Sequence, residues 1–325
     1  MRILVVGGAG YIGSHVVKEL LDNGQEVVVY DNLSTGQKVN LFEKATFIEG
    51  DILDTTALNQ AMKGVDGVVH LAAKKAVGES MQNPQLYALN NLNGTINVLN
   101  AMVENQVKYF VFSSTAAVYG MPDKEVLDET TPLNPINFYG FSKKVIEDVL
   151  SWYDRLKGIR FVALRYFNAV GYDASGAVSG LEKNPQNLLP IVMETIFGVR
   201  EKMSVFGSDY PTKDGTCVRD YIHVSDLASA HYLAFKYLEK TNKSQSMNLG
   251  TGSGHSVQEM LDTTERILNL KVNYQLADRR AGDPASLMAY SKKAHDLLGW
   301  EPKHSSLENI IQTTYQVYEK AFKTK

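Results

Sequence analysis

The sequence predicts an α/β fold, in which a doubly wound parallel Rossmann sheet is followed by a smaller C-terminal α/β domain. The first half of the 325-residue chain alternates short apolar runs with longer helical patterns, which is typical of parallel strands joined by right-handed crossovers. A glycine-rich turn separates the first apolar run from the first helical pattern. Beyond Asn168 the pattern becomes less regular and longer loops occur, which indicates a change of domain.

The predicted strands are short apolar runs at intervals typical of strand–helix repeats. Residues 3–6 are four consecutive apolar residues that lead into glycine, as expected of a strand buried on both faces. A second strand is predicted over residues 26–30 and ends at Asp31. The strands that continue the series are predicted at residues 46–49, 65–71, 109–113 and 161–166.

Three helices are predicted in the first half of the chain. The first is predicted over residues 11–23, and long helices are predicted over residues 84–105 and 137–157. Several asparagines in the 84–105 segment suggest a further role for some of these amides, because asparagine is a poor helix former. The spacing of apolar residues in that segment predicts one stripe, formed by Leu89, Leu92, Ile96, Leu99 and Val103.

The change from regular strand–helix alternation to a less regular pattern divides the chain into two predicted domains, residues 1–170 and residues 171–325. The chain is predicted to cross back into the first domain near residues 219–240, where a strand pattern is followed by an apolar helix.

Composition excludes several classes of function. The formal net charge of -3 does not suit binding to nucleic acid or to an anionic membrane surface. No apolar stretch reaches the ~18–20 residues that a membrane-spanning helix needs. The single cysteine, Cys217, excludes an internal disulfide and a multi-cysteine metal site, so we expect no metal. The first apolar run stops at glycine rather than at a signal-peptide cleavage site, so we expect a cytoplasmic protein.

The turn after the first strand has the pattern of a dinucleotide site. Gly7, Gly10 and Gly13 form a G-x-x-G-x-x-G motif in which glycine permits positive φ and close approach of backbone to phosphate. The helix that follows presents free N–H groups to a pyrophosphate. Asp31, at the end of the second strand, would accept hydrogen bonds from ribose hydroxyls and favours NAD over NADP. Asp51 could reach the adenine, and a helix-capping role is the alternative.

A reacting centre is indicated by Tyr139 and Lys143, which lie four residues apart on one predicted helix face. A free tyrosine titrates near ~10, and a nearby ammonium stabilises its phenolate, which can then act as a base. A surface Tyr–Lys pair is the alternative. Thr115 follows the strand at 109–113, where a hydroxyl points into the ligand crevice of a parallel sheet. The alternative for Thr115 is a strand-end turn.

Along essentially its whole length the sequence resembles the extended short-chain dehydrogenase/reductase superfamily and, within it, the UDP-hexose 4-epimerase family. The glycine turn and the YxxxK pair mark the superfamily, whereas the stretch 206–224 is more specific to the epimerases. The motifs that carry the resemblance are GGAGYIGSH from Gly7, DNLSTG from Asp31, GDI from Gly50, KAVGES from Lys75, NNLNGT from Asn90, SSTAAVYG from Ser113, YGFSK from Tyr139, RYFNAVG from Arg165, FGSDYPTKDGTCVRDYIHV from Phe206, NLGTG from Asn248 and RRAGDPA from Arg279.

The resemblance implies roles for individual residues, with Tyr139 as base, Lys143 as its electrostatic partner and Thr115 as the hydroxyl near the sugar. It assigns the first domain to NAD and the second to a UDP-sugar. The residues that would bind NAD are Gly7, Gly10, Tyr11, Ile12, Gly13, Asp31, Asn32, Asp51, Ile52, Lys75, Asn90, Tyr139, Lys143 and Phe167. Those that would contact the UDP-sugar are Thr115, Tyr139, Asn168, Asn187, Leu188, Phe206, Arg219, Arg280, Asp283 and Leu287.

The implied reaction inverts C4 of a UDP-hexose, interconverting UDP-galactose and UDP-glucose through a transient 4-keto sugar while hydride passes to bound NAD and back. A related 4,6-dehydratase would carry Asp-Glu after the position of Thr115, where this chain has Ala116-Ala117, so that alternative ranks lower. A non-catalytic NAD-dependent sensor is a third alternative, although Tyr139 and Lys143 are both present. Leu287 stands where some relatives have a tyrosine that walls the sugar, which predicts added activity on UDP-N-acetylhexosamines.

The family resemblance also implies a homodimer, paired through the long helices near residues 84–105 and 137–157. From the residues alone, the apolar stripe on the first of these helices could equally face the sheet.

Overall fold

The computed structural model describes residues 1–280 and 282–323. In chain order the strands are β1 (Arg2–Val6), β2 (Glu26–Asp31), β3 (Thr46–Glu49), β4 (Gly67–His70), β5 (Tyr109–Thr115), β6 (Val126–Leu127), β7 (Arg160–Tyr166), β8 (Asn168–Val170), β9 (Met203–Phe206), β10 (Val218–His223), β11 (Gln245–Leu249), β12 (Gly254–Ser256), β13 (Tyr274–Ala277) and β14 (Ser286–Ala289). The helices are α1 (Tyr11–Asp22), α2 (Thr55–Ala61), α3 (Val77–Gln82), α4 (Pro84–Tyr87), α5 (Gly94–Glu104), α6 (Phe138–Lys157), α7 (Leu188–Ile196), α8 (Val224–Thr241), α9 (Val257–Leu268), α10 (Lys292–Leu298) and α11 (Leu307–Lys323).

The larger sheet of the described chain has seven strands in the order β11-β7-β5-β4-β1-β2-β3. Every neighbouring pair in it is parallel. Strand order reverses between β1 and β4, and the carboxyl ends of the strands on either side of such a reversal form a ligand-binding crevice. The predicted doubly wound parallel sheet is confirmed, and its switch point lies where the glycine turn leaves β1.

Strand β1 shows why this sheet is covered on both faces. Its side chains alternate, so Ile3 and Val5 enter a core shared with α1 and α8, whereas Leu4 and Val6 enter a core shared with α2, α5 and α6. All four side chains are fully buried. Burying each such side chain stabilises the fold by about 1.5–3 kcal/mol, which accounts for the continuous apolar run in the sequence.

The long helix predicted over residues 84–105 is interrupted. Helix α4 passes into a π-helical turn over Ala88–Asn93 before α5 begins. A π turn inserts an extra residue and rotates the following side chains relative to the preceding ones. Leu89 is therefore 47% exposed while Leu99 is fully buried, and the prediction of one apolar stripe on one face is wrong.

A second set of strands lies outside the larger sheet, mostly in the second half of the chain. Strands β12, β10, β14 and β6 form a smaller sheet, β8 joins it through β10, and β13 pairs with β9. Strands β8, β9 and β10 and helices α7, α9 and α11 share a third apolar core. Within this half the chain returns to the larger sheet, because α8 packs on α1 and β11 is the edge strand beside β7. The domain boundary near residue 170 stays a prediction.

Candidate functional site

The glycine turn between β1 and α1 forms a tight backbone cradle. Gly7 has φ of 86°, a conformation that L side chains rarely adopt. A Cβ at Gly13 would collide with the Gly7 carbonyl oxygen, so the helix packs directly against the turn. Gly10 is the N-cap residue of α1 and, within the described chain, no side chain caps that end. The first-turn N–H groups and the positive end of the helix dipole can therefore receive an anionic diphosphate.

Asp31 lies at the carboxyl end of β2 beside this turn. Its Oδ2 accepts a hydrogen bond from the Ala9 amide at 3.0 Å, and its Oδ1 accepts one from the Leu33 amide at 2.8 Å. Burial raises the pKa of the Asp31 carboxyl above its usual value, and the two amide bonds oppose that shift. Each oxygen of an ionised carboxylate has two lone pairs, so both can still accept from hydroxyl groups of a ribose.

The polar residues after β3 form a small cluster next to Asp31. Asp51 Oδ1 accepts from the Leu53 amide at 2.9 Å, and its Oδ2 accepts from the Asn32 side-chain amide at 2.8 Å. The cap of α2 is Asp54, which accepts from two first-turn amides, so the alternative of Asp51 as a helix cap is wrong. Ile52 fills the space above Gly94 in α5, where a Cβ would collide with it.

Lys75 and Asn90 have different surroundings. The Lys75 ammonium lies in the loop after β4 and makes an ion pair with Glu182. Asn90 donates to the Leu86 carbonyl at 2.9 Å within the helical segment. Neither contact places these side chains at a ligand, so their predicted contacts with NAD stay predictions.

Helix α6 presents the predicted reacting groups to the end of β5. Asn137 caps the helix by accepting from the Gly140 amide at 2.8 Å. One turn apart on that helix, Tyr139 is partly buried and Lys143 is buried. The Lys143 ammonium donates to the Ser113 carbonyl at 2.8 Å and lies 6.0 Å from the centroid of the Tyr139 ring. Thr115, two residues beyond Ser113, completes the cluster and hydrogen-bonds to Tyr139.

Burial sets the titration of this cluster. It raises the pKa of Tyr139 to about 12, and the hydrogen bond with Thr115 opposes that rise. Burial also lowers the pKa of Lys143 to about 7, against the opposing charge of Glu147. The positive charge that would stabilise a Tyr139 phenolate is therefore itself costly to bury, and its presence at neutral pH depends on its neighbours.

The predicted substrate residues of the second half lie close together. Arg219 makes an ion pair with Asp283, and the Arg219 side chain is largely buried. The Arg280 guanidinium stacks over the Phe206 ring, 3.9 Å from its centroid. Leu287 on β14 is the register partner of Arg219 on β10. Two guanidinium groups near an aromatic face form a suitable site for a nucleoside diphosphate.

The remaining predicted residues lie between the two halves. Leu287 and Phe167 belong to one apolar cluster that also contains Ala116, directly after Thr115. Asn168 opens β8 and pairs in register with Tyr221 of β10. The other two predicted contacts, at the start of α7, are the exposed Asn187 and the partly buried Leu188.

Two residues that contact elements of the site, Asn91 and Glu147, are not predicted from the sequence. Asn91 is buried, and its side chain bonds both the amide and the carbonyl of Lys74, at 2.8 and 3.0 Å, and also contacts Ser142. It thereby fixes the loop that carries Lys75 to the helix that carries Tyr139. The excess of asparagine near residue 90 was a signal for such a role, but it did not distinguish Asn91 from its neighbours. Glu147 gave no signal beyond its i+4 spacing from Lys143.

The described part of the chain contains neither a candidate metal site nor a candidate membrane-spanning helix. Over residues 1–280 and 282–323, no three His, Cys, Asp or Glu side chains are grouped so as to hold a metal ion. No helix in the same part of the chain is long and apolar enough to span a membrane.

Comparison with known proteins identifies relatives over the full length. Residues 3–250 match the model of the NAD dependent epimerase/dehydratase family. The chain is 44% identical to UDP-glucose 4-epimerase of Lactobacillus helveticus over 318 residues, covering 97% of this chain and 96% of the relative.

Solved structures agree with this match. UDP-glucose-4-epimerase from Stenotrophomonas maltophila, with bound NAD and formylated UDP-arabinopyranose, superimposes with a TM-score of 0.96 at 38% identity and full coverage of both chains. The UDP-Glc/GlcNAc 4-epimerase from Campylobacter jejuni gives a TM-score of 0.86 at 39% identity, covering 98% of this chain and 99% of that one.

Proposed function

The chain belongs to the NAD dependent epimerase/dehydratase family, and from that premise we propose that it is a UDP-glucose 4-epimerase, an isomerase that interconverts UDP-galactose and UDP-glucose. The observation that carries the proposal is the cluster of Tyr139, Lys143 and Thr115 at the crevice of the sheet. On one side of this cluster lies a turn suited to a dinucleotide, and on the other lie arginines suited to a nucleoside diphosphate.

The cofactor is NAD, and the residues present fit it. The cradle at Gly7 and Gly13 leaves no room for side chains, and the end of α1 offers its amides to the pyrophosphate. Asp31 suits the adenosine ribose and would repel a 2′-phosphate. When bound, NAD would accept a hydride and give it back, and its oxidised form would add positive charge to the site.

Three side chains carry the proton chemistry. The Tyr139 phenolate takes the proton of the C4 hydroxyl and later returns it. The Lys143 ammonium stabilises that phenolate, whose formation burial otherwise opposes. Thr115 hydrogen-bonds to the same reacting oxygen and orients it. The proton would be returned together with the hydride, and because the hydride is returned the reaction would end with no net redox change.

The second half of the chain holds the nucleotide while the sugar turns. Arg219 and Arg280 bind the diphosphate, Phe206 lies against the base, and Asp283 holds a ribose hydroxyl. Anchoring UDP lets the keto sugar expose its opposite face without leaving the site. We assign NAD to residues 1–170, with the returning segment near 219–240, and the UDP-sugar to residues 171–325.

The alternatives are less favourable. A 4,6-dehydratase needs an additional acid and base, and Ala116 and Ala117 beside Thr115 can transfer no proton. A non-catalytic sensor would have no need of a buried ammonium close to a tyrosine, because burying that charge is costly.

A coupled assay tests the function. UDP-galactose is added to the NAD-loaded protein, and any UDP-glucose formed is oxidised by a dehydrogenase whose NADH is measured. Y139F should lower kcat by about 10²–10⁴-fold, the usual contribution of a general base, with little change in UDP affinity. Folded, NAD-loaded wild-type protein that forms no UDP-glucose would refute the proposal.

We further propose that N-acetylated sugars are substrates. Leu287 lies in the apolar cluster with Phe167 near Thr115, and its side chain leaves more room than a tyrosine would. Wild-type protein should turn over UDP-N-acetylgalactosamine and UDP-galactose at comparable rates, and L287Y should lose only the first activity. Undetectable turnover of the acetylated substrate by the wild type would contradict this.

We propose a homodimer formed through the segment around α5 and through α6. Apolar side chains on these segments are 44–68% exposed, namely Leu89, Phe141, Trp152 and Leu156. The double variant W152E/L156E, which places a charge at two of these positions, should sediment as a monomer. L276E is the matched control, because Leu276 is an exposed residue of β13. A monomeric wild type, or dimers in both variants, would disprove this interface.

A cytoplasmic location is proposed from the single cysteine, since Cys217 has no partner for an internal disulfide. Cell fractionation tests it.

A further inference from the structure

Helix α6 carries a further buried charge one turn beyond Lys143. Glu147 is 5% exposed, and its i+4 position places it on the same helix face as Lys143. Its carboxylate accepts a hydrogen bond from Ser114 Oγ at 2.5 Å. It also accepts from the Arg165 guanidinium, through Nε at 3.0 and 3.1 Å and through Nη2 at 2.5 Å. A buried carboxylate is thus fully engaged next to the reacting centre.

The partners of Glu147 belong to the strands that build the site. Ser114 lies on β5 between Ser113, whose carbonyl accepts from Lys143, and Thr115. Arg165 on β7 is the register partner of Ser114. Glu147 therefore fastens α6 to the strand end on which the positions of Lys143 and Thr115 both depend.

We propose that Glu147 is a positioning residue for the proposed epimerase reaction, holding the Lys143 ammonium charged and in place next to Tyr139. Lys143 and Arg165 are 3% and 6% exposed, so two buried cations share this carboxylate. In a medium of low dielectric constant an unpaired buried ammonium loses its proton readily. The charge of Glu147 raises the pKa of Lys143 and so opposes the effect of burial.

Within residues 1–280 and 282–323, the other groups that face Lys143 supply no compensating negative charge. Tyr139 precedes it on α6, and because burial raises the pKa of Tyr139 to about 12, this side chain carries no negative charge at neutral pH unless its phenolate is stabilised by neighbouring positive charge. His70 of β4 is neutral, because burial and the charge of Lys143 lower its pKa to about 3. On β7, burial raises the pKa of Tyr166, and Arg165 is a cation. Among these groups the Glu147 carboxylate is the counter-charge.

The decisive variant is E147Q, which keeps the shape and a hydrogen-bond acceptor for Ser114 but removes the charge. Lys143 should then lose its proton at lower pH, and Tyr139 should ionise at higher pH. The basic limb of the kcat–pH profile should move down by about one unit, the size expected when Lys143 loses one nearby opposite charge. The acidic limb should move up, because the Tyr139 phenolate then has no ammonium beside it. KM for UDP-galactose should stay within about twofold of wild type, because the diphosphate site is unchanged.

Three further variants separate this role from a structural one. E147D restores the charge and should return both limbs toward wild type. S246A removes a 3.3 Å hydrogen bond to the same carboxylate without changing charge, so its limbs should not move. E147Q/R165M leaves no unpaired guanidinium and serves if E147Q folds poorly. Its inward shift should have the same direction but be smaller, because the loss of the Arg165 cation favours the Lys143 ammonium.

A second measurement does not depend on activity. The ionisation of Tyr139 is followed by phenolate absorbance, as the difference between each protein and its Y139F counterpart, and E147Q should raise the apparent pKa. Should wild-type protein not epimerise UDP-galactose, the proposed function fails, and this titration still decides the role of Glu147. Equal losses of rate in E147Q and S246A at every pH, with unshifted limbs and unshifted phenolate titration, would overturn the inference.

Discussion

At the scale of single residues, Lys143 is both the functional cation and an energetic cost. Its ammonium has one carbonyl partner, at 2.8 Å, and lies 4.7 Å from the centroid of the Phe112 ring, so much of its hydration is lost on folding. The fold retains a charge that stability alone would remove. Such a conflict between function and stability is typical of an active site.

The free-energy cost of burying the Lys143 ammonium predicts how the stability of the protein depends on pH. Its pKa falls from 10.5 to about 7 on folding, so the unfolded chain binds more protons between these values. The free energy of unfolding of the cofactor-free protein should therefore rise as pH increases from 7 to 10. K143M abolishes this titration and should stabilise the protein at pH 6 by roughly 1–3 kcal/mol, a gain that shrinks toward pH 10.

Denaturant unfolding of wild type and K143M at several pH values measures this difference. K144M is the control, because the neighbouring Lys144 is only partly buried and makes an ion pair with the exposed Asp148. A gain for K143M that is the same at every pH, or equal to that of K144M, would contradict the prediction.

At the scale of elements, the site depends on how closely backbone can pack at the start of α1. An alanine at Gly13 would collide with the Gly7 carbonyl and lie 2.9 Å from the Gly8 Cα, so the helix must move away from the turn. G13A should lower NAD occupancy by at least about tenfold and stability by about 1–3 kcal/mol, the range for overpacked sites.

The matched control is G78A. Gly78 lies in α3 with negative φ, and an added Cβ would meet no atom of the described chain within 4 Å. G78A should therefore keep its NAD and should not lose stability. The bound cofactor is measured by absorbance after gel filtration, and a fully NAD-loaded G13A protein would show that close packing at this turn is unnecessary.

The elements also show where sequence patterns are sufficient. Strand β1 and helix α1 agree with their predicted bounds within a residue, because an apolar run, a glycine and an amphipathic pattern are all local signals. The π turn over Ala88–Asn93 was not predicted, because it depends on tertiary contacts such as those of Asn91 with Lys74. The pairing of Glu147 with Arg165 joins residues of separate elements, so spacing alone could not reveal it.

At the scale of the whole molecule, a segment of the second half is bonded to the glycine turn. Buried Asn40 accepts from the Gly180 amide at 2.8 Å and donates to the Ala9 carbonyl at 3.3 Å. Gln37 donates to the carbonyl of Leu181. Together with the ion pair between Lys75 and Glu182, these bonds hold residues 180–182 against the proposed NAD site.

This connection bears on whether NAD leaves between turnovers. If each hydride is returned within one turnover, the cofactor need not exchange, and we expect it to remain bound through purification. N40A breaks both buried hydrogen bonds, each worth about 1 kcal/mol, and should speed NAD release by roughly tenfold. E182Q affects a partly exposed ion pair and should change the release rate only a few-fold.

The release rate is measured by exchange of bound NAD against labelled cofactor. N105A is the matched control, because Asn105 also makes two side-chain hydrogen bonds, to Asn59 and Ala101. It should leave release unchanged, since neither bond touches the glycine turn. Equal release rates in wild type and N40A would show that the Asn40 bonds do not retain the cofactor. Protein that isolates without NAD and needs it added in stoichiometric amounts would show that the cofactor is an exchanged co-substrate rather than a resident one.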